Sequence, residues 1–174
     1  MITLSSPPYS ITLREGFPGG EIRVLTLDDG QHEASSCHRV EVREGDQTLE
    51  QVQLETSGGT TGIHGHSAVV ADDMVFVACG PYITALRLPE LEMQWCTQVD
   101  ESTCFGVHLN TRHYCLISHG ELSVARVNFD GSLVWQATGA DIFTEGFETH
   151  DDHVTARDWE KKAYSFDVTT GQPL

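Results

Sequence analysis

Two histidines stand two residues apart at the end of a glycine-rich stretch, where residues 57–66 read SGGTTGIHGH. On an extended chain such side chains point to the same side, so His64 and His66 would present their imidazoles together. Imidazole is a common ligand of zinc, and the pair therefore predicts a divalent metal site, although a zinc centre needs further ligands that this stretch does not supply. The alternative interpretation is a flexible connector between two folded parts.

Polar residues also recur at an interval of 40 residues, at Asp73, His113 and His153. Turns of repeated units gather on one face, so these side chains predict a shared binding surface. The competing interpretation is that exposed hairpin turns are polar for backbone reasons alone. The binding residues expected on this surface are His113, His150, Asp151, Asp152 and His153.

Signatures of known catalytic sites are absent from the sequence. It contains no GxSxG, Walker A, GxGxxG or HExxH motif, and the glycine-rich stretch lacks the lysine of a phosphate-binding loop. We therefore expect no catalytic residues, and no cofactor other than the divalent metal considered above.

Acidic residues greatly outnumber basic ones: 26 Asp and Glu stand against 10 Lys and Arg, for a net charge of -16. Such a chain repels phosphate backbones, which disfavours nucleic acid as a partner. It favours a basic protein partner, unless the acidity only maintains solubility. The same negative field predicts raised pKa values for the nine histidines.

The five cysteines form no CxxC pair, and two of them, Cys79 and Cys115, lie within apolar runs. We expect buried free thiols rather than disulfides. The apolar runs are too short to cross a membrane, and residues 1–8 lack the features of a signal peptide. These features predict a cytoplasmic protein without membrane contact.

A repeat with a period of 40 residues extends over the C-terminal two-thirds of the chain. Without a gap, Gly80 aligns with Gly120, Ala85 with Ala125 and Trp95 with Trp135. A further shift of 40 aligns Gly131 with Gly171, and the third copy stops at Leu174, so that its fourth strand is missing or barely begun. This period is typical of a propeller blade of four antiparallel strands.

Alternating apolar residues and turn signals place four short strands in each copy. The expected division is 1–61 for a divergent N-terminal sheet or cap and 62–174 for three repeats. The N-terminal strands are expected at 9–15, 21–27, 37–43 and 48–55, with a turn at 17–20 between the first two. The strands of the repeats are expected at 66–70, 74–79, 82–88, 92–99, 106–110, 114–118, 121–127, 132–138, 146–150, 154–159 and 162–168.

The segments ITALRLPELEMQW, LSVARVNFDGSLVW and AYSFDVTTGQPL resemble repeats of the PQQ-like quinoprotein propellers, and WD40-like repeats share their period. The matching residues are Trp95, Trp135, Asp167, Thr170 and Gly171. The resemblance implies an all-β fold, a small or partial β-propeller-like array of four-stranded blades, with the tryptophans packed between adjacent blades. It does not extend to the quinone cofactor, which requires a complete ring.

Together these features favour a non-enzymatic protein-binding module, in a sharper form an acidic immunity or inhibitor protein for a basic partner. One alternative is a metal-dependent enzyme or sensor centred on His64 and His66. Another is a structural subunit of a larger propeller assembly. Because an incomplete ring exposes strand edges, a homodimer is also expected.

Overall fold

The protein is built from strands, which form four successive sheets along the chain. A computed structural model describes residues 1–17 and 22–174. The described residues include no helix that is long and apolar enough to cross a membrane. The predicted all-β array of propeller-like blades is confirmed.

The first sheet, called the N-terminal sheet, contains five strands in the order β1-β2-β4-β5-β3. Neighbours are antiparallel except β3, which pairs with β5 in parallel. The first strand was not predicted, because it is short and ends at a pair of prolines. Most of the predicted turn at 17–20 and the first residue of the predicted strand 21–27 lie outside the described residues. The strands are β1 (Ile2–Ser6), β2 (Tyr9–Glu15), β3 (Arg23–Thr26), β4 (Ser36–Glu44) and β5 (Gln47–Thr56).

Three blades follow, each an antiparallel meander, and the proposed division at residue 61 falls in the connection between β5 and the first blade. Blade 1 comprises β6 (Ala68–Ala71), β7 (Met74–Cys79), β8 (Tyr82–Arg87) and β9 (Glu92–Gln98). Blade 2 comprises β10 (Cys104–Asn110), β11 (Cys115–Gly120), β12 (Ser123–Val127) and β13 (Leu133–Thr138). Blade 3 comprises β14 (Gly146–Thr149), β15 (His153–Arg157) and β16 (Ala163–Asp167).

Blade 3 has three strands, but the end of the chain runs beside its outer strand. Asp167 N donates to Gln172 O at 2.9 Å, and Leu174 N donates to Ser165 O at 3.0 Å. Residues 172–174 therefore begin a fourth strand on β16, as the repeat predicts.

The ungapped alignment of the repeats needs a correction within the strands. Trp95 lies opposite Ala85, whereas Trp135 lies opposite Arg126, so the structural equivalent of Ala85 is Arg126 and not Ala125. Two turns cause the displacement. The first hairpin turn lengthens from residues 72–73 in blade 1 to 111–114 in blade 2, and the later turn shortens from 87–92 to 128–132.

Three hydrophobic clusters hold the sheets face to face in chain order. The first joins the N-terminal sheet to blade 1, the second joins blade 1 to blade 2, and the third joins blade 2 to blade 3. Within residues 1–17 and 22–174 no such cluster joins blade 3 back to the N-terminal sheet. The accessible surface of 8398 Å² nevertheless equals the roughly 8,400 Å² expected of a compact monomer of 19.2 kDa.

Candidate protein-binding site

The two tryptophans of the repeat fix the position of each following blade. Trp95 donates its indole N–H to Phe129 O at 2.8 Å, and Trp135 donates to Val168 O at 2.9 Å. The rings lie over Gly131 and Gly171, where an added Cβ would come within 2.7 and 2.6 Å of ring carbons. The predicted packing of tryptophan between blades is confirmed.

Blade 1 is held differently, and this arrangement was not predicted. Leu91 stands 40 residues before Gly131 and takes its place in blade 1. It is fully buried and adopts a φ of 52°. Arg23 of the N-terminal sheet donates to Glu90 O at 2.8 Å and to Leu91 O at 3.2 Å. A guanidinium thus supplies the donor that an indole supplies at the other two junctions.

The turns from first to second strand and from third to fourth strand lie at the same end of the blades. Leu88 N donates to Asp73 O at 2.7 Å in blade 1, and Val168 N donates to Asp152 O at 2.9 Å in blade 3. We call this end the hairpin surface. Between the strands, these turns carry the carboxylates of Asp72, Asp73, Glu90, Asp130, Asp151 and Asp152, with Arg112 as their one Lys or Arg, while Arg87 and Asp167 end the adjoining strands β8 and β16.

Asn110 ties the turns of blades 2 and 3 together. Its amide nitrogen lies 3.2 Å from both His150 O and Asp151 O, and its Oδ1 accepts from His113 N at 2.9 Å. Tyr114 makes a corresponding link to blade 1, since its hydroxyl donates to the carboxylate of Asp72. Asn110 is only 6% exposed although it ends a strand at the surface, and no sequence pattern had singled it out.

All five predicted binding residues lie on the hairpin surface. The rings of His150 and His153 stack with their centroids 4.2 Å apart. His153 Nδ1 lies 2.8 Å from Asp152 Oδ1, and this hydrogen bond lowers the pKa of Asp152. His113 contributes, after hydrogen bonds within the turn, to the lowered pKa of Asp167. The structure brings these side chains together, and their role in binding stays a prediction.

The predicted metal ligands lie at the other end of the blades, before β6. His64 Nε2 is 2.6 Å from Phe105 O, and the rings of His64 and His66 are 6.2 Å apart. In the part of the chain that the structure describes, no three His, Cys, Asp or Glu side chains are arranged to hold one ion. The metal site therefore stays a prediction.

A row of imidazole and phenyl rings continues from these histidines across the blades. His108 lies 4.5 Å from His66 and 4.8 Å from Phe147, and His119 stacks on Phe147 at 4.5 Å. Burial lowers the pKa of His108 to about 3 and that of His119 to about 4. Burial also lowers the pKa of His38. The expectation of raised histidine pKa values is wrong for these three, because desolvation outweighs the field of distant carboxylates.

All five cysteines are free thiols, as expected, with Cys79, Cys104 and Cys115 buried and Cys37 and Cys96 half-buried. Burial raises the pKa of every one, to about 12 for Cys104. These thiols are therefore protonated packing groups at neutral pH.

Comparison with known proteins shows the fold alone. No protein-family model matches the chain, and no curated protein sequence matches it. Among solved structures it is similar to the computationally designed Ika4 protein, with a TM-score of 0.54 at 12% identity over 66% of this chain and 75% of that one. It is also similar to the designed Ika8 protein, with a TM-score of 0.58 at 12% identity over 78% of this chain and 42% of that one.

The Pan2 WD40 domain of Neurospora crassa matches with a TM-score of 0.52 at 13% identity. This match covers 64% of our chain and 38% of that chain. The chain thus spans less than half the length of two of these three structures. The likeness shows a WD40-like propeller arrangement of blades.

Proposed function

We propose that the chain is a non-enzymatic protein-binding module whose hairpin surface holds a basic protein partner. The observation that carries the proposal is the concentration of six carboxylates in turns that contain a single arginine and no lysine between the strands. A surface of one sign speeds the encounter with a partner of opposite charge and rejects partners of like charge.

Three of these carboxylates are available to a partner. Asp73, Glu90 and Asp151 are exposed, and their side chains accept no hydrogen bond within the described residues. Asp130 and Asp167, in contrast, bind the backbone and hydroxyl groups of their own turns. The first set supplies charge for binding, while the second set holds the turns in shape.

The rigidity of the surface supports the proposal as well. Asn110 and the two tryptophans connect neighbouring blades through hydrogen bonds at the positions from which the turns project. A surface that is ordered before binding loses little conformational entropy when it meets its partner.

We also propose that the repeats are of the PQQ-like type. The contact of each tryptophan with a turn glycine of the next blade supports this assignment. A cytoplasmic basic toxin or nuclease as partner would make the protein an immunity or inhibitor protein. The excess of negative charge supports this version by chemistry alone.

The experiment compares two triple variants that lose the same charge. One carries Asp73→Asn, Glu90→Gln and Asp151→Asn on the hairpin surface. The control carries Glu33→Gln, Glu44→Gln and Glu145→Gln, three exposed carboxylates elsewhere that likewise accept no hydrogen bond in the described part of the chain. Tagged wild type and both variants are used to capture partners from native lysate at low and high salt.

We expect wild type and control to retain the same basic protein at low salt, and the hairpin variant to bind it about tenfold more weakly, since each exposed charge contributes up to about 1 kcal/mol. If both variants retain the partner equally well, the hairpin surface is not the place where it binds. Binding that is unchanged at high salt would contradict the basic partner.

The alternative function is a metal-dependent enzyme or sensor with His64 and His66 as ligands. It is favoured by the exposure of both imidazoles and opposed by the contact of His64 Nε2 with Phe105 O, which a metal would have to replace. Metal analysis of protein purified without chelator decides between the two. Stoichiometric metal that disappears in the His64→Ala, His66→Ala double variant would establish the alternative.

A further inference from the structure

A groove runs along the opposite end of blades 1 and 2, away from the hairpin surface. It consists of three adjoining hollows of about 250, 230 and 420 Å³. We call it the outer groove. Its lining includes Gln98, Glu101, Leu122, Gln136, Thr138 and Ile142, and Glu101 borders all three hollows.

The polar groups in the floor of the groove are already satisfied. Asp100 is 1% exposed. Gln136 Nε2 donates to Val99 O at 3.1 Å and to Ser123 Oγ at 2.8 Å. The Asp100 carboxylate accepts from the backbone N–H groups of Ser102, Thr103, Leu122 and Ser123. The floor is therefore a fixed shape that needs no ligand to complete it.

Two features of the groove remain available to a partner. Glu101 is exposed, and its carboxylate accepts no hydrogen bond within the described residues. Leu122 is 37% exposed in the turn between β11 and β12, and Ile142 adds apolar surface in the widest hollow. No described lysine or arginine lines the three hollows.

We propose that the outer groove binds an extended segment of a partner protein that carries a lysine or arginine next to an apolar residue. The cation pairs with Glu101, and the apolar side chain packs against Leu122 and Ile142. An unpaired carboxylate beside exposed apolar carbon fits such a segment, because the contact removes apolar surface from water while the charges stay at the rim. This surface is separate from the hairpin surface and stands without it.

The probe is a dye-labelled synthetic peptide of alternating lysine and leucine, measured by fluorescence anisotropy. A second peptide has serine in place of leucine. The groove variant combines Glu101→Gln with Leu122→Ser. The hairpin triple variant is the control, because it loses more charge but at the other end of the blades. Both changed positions of the groove variant are exposed, and unfolding curves verify that each variant is folded.

We expect the groove variant to weaken the lysine-leucine peptide about tenfold, the hairpin variant to weaken it less than threefold, and the lysine-serine peptide to bind wild type about tenfold more weakly. A larger effect of the hairpin variant, or equal affinity for both peptides, would show attraction by net charge alone and overturn the proposal. Lys162 is itself an exposed lysine next to an apolar residue, Ala163. Self-association of the protein that is lost on Lys162→Gln would place a second copy in the groove and overturn the proposal as well.

Discussion

At the scale of residues, neighbouring blades are joined by the contact of each repeat tryptophan with a turn glycine of the next blade. Trp95 and Trp135 stood in one column, and their packing between blades followed from the repeat. The role of Gly131 and Gly171 as the surfaces beneath the rings needed the structure, since a turn glycine is explained equally well by its positive φ. The pairing of Arg23 with the turn at Leu91 had no signal, because the partners are 68 residues apart.

Gly131→Ala should destabilise the protein by about 2–4 kcal/mol. The φ of 86° strains a residue with a Cβ, and that Cβ would lie 2.7 Å from the ring of Trp95. Gly45→Ala is the matched control, because Gly45 has a φ of 58° but no atom within 4 Å of the place that a Cβ would take. Urea unfolding measures both, and an equal loss for the two variants would show that the tryptophan contact adds nothing.

Acid should destabilise the protein as the pH falls below 6.5, the ordinary pKa of histidine. The folded pKa values of His108 and His119 are about 3 and about 4. Between 6.5 and those values the unfolded chain therefore binds protons that the folded chain does not, and the free energy of unfolding decreases. The contribution of these histidines is present above pH 6.5 and fully lost near pH 3.

The variant His108→Phe should lose less stability than wild type over this range, since it removes one of the groups that the unfolded chain protonates. Denaturant unfolding at a series of pH values gives the slope. The control is His32→Gln, at an exposed position. Identical slopes for wild type and His108→Phe would contradict the assignment.

At the scale of elements, the sequence predicted the bounds of the strands within a few residues. It did not predict correctly which residues of β8 and β12 are structurally equivalent. Turn signals and alternation located β7 and β2 at their observed bounds. The displacement of β8 against β12 by one residue was hidden, because the later turn of blade 2 is one residue shorter and restores the offset of 40 at the tryptophans. Matching identical residues without gaps cannot detect insertions that compensate within one repeat.

Trp135→Ala should destabilise blade 3 more than any other sheet. Blade 3 is packed against blade 2 through one cluster, whereas blades 1 and 2 each take part in two. Loss of the indole and of its hydrogen bond to Val168 O should therefore accelerate amide exchange in β14–β16 while β2 and β4 stay close to wild type. Hydrogen exchange measured by mass spectrometry resolves these segments, and a uniform acceleration over all sheets would argue against separate blade stabilities.

At the scale of the whole molecule, the order of the sheets was predictable but the polarity of the outer faces was not. The end faces carry polar side chains, such as Arg14 and Arg39 on the N-terminal sheet and His153 and Arg157 on blade 3. Such faces do not drive association by hydrophobic burial. The proposed homodimer would therefore have to pair strand edges, and a sedimentation series that shows monomer at every concentration would count against it.

The hairpin surface as the place where a basic protein binds is the central claim, and site-specific photocrosslinking tests it most directly. p-Benzoylphenylalanine is placed at position 73 or 151 on the hairpin surface, and at position 44 or 145 as controls, before irradiation in native lysate. We predict one crosslinked basic protein from positions 73 and 151, lost at high salt, and none from positions 44 and 145. Equal crosslinking from all four positions, or a crosslinked partner that is acidic, would contradict the claim.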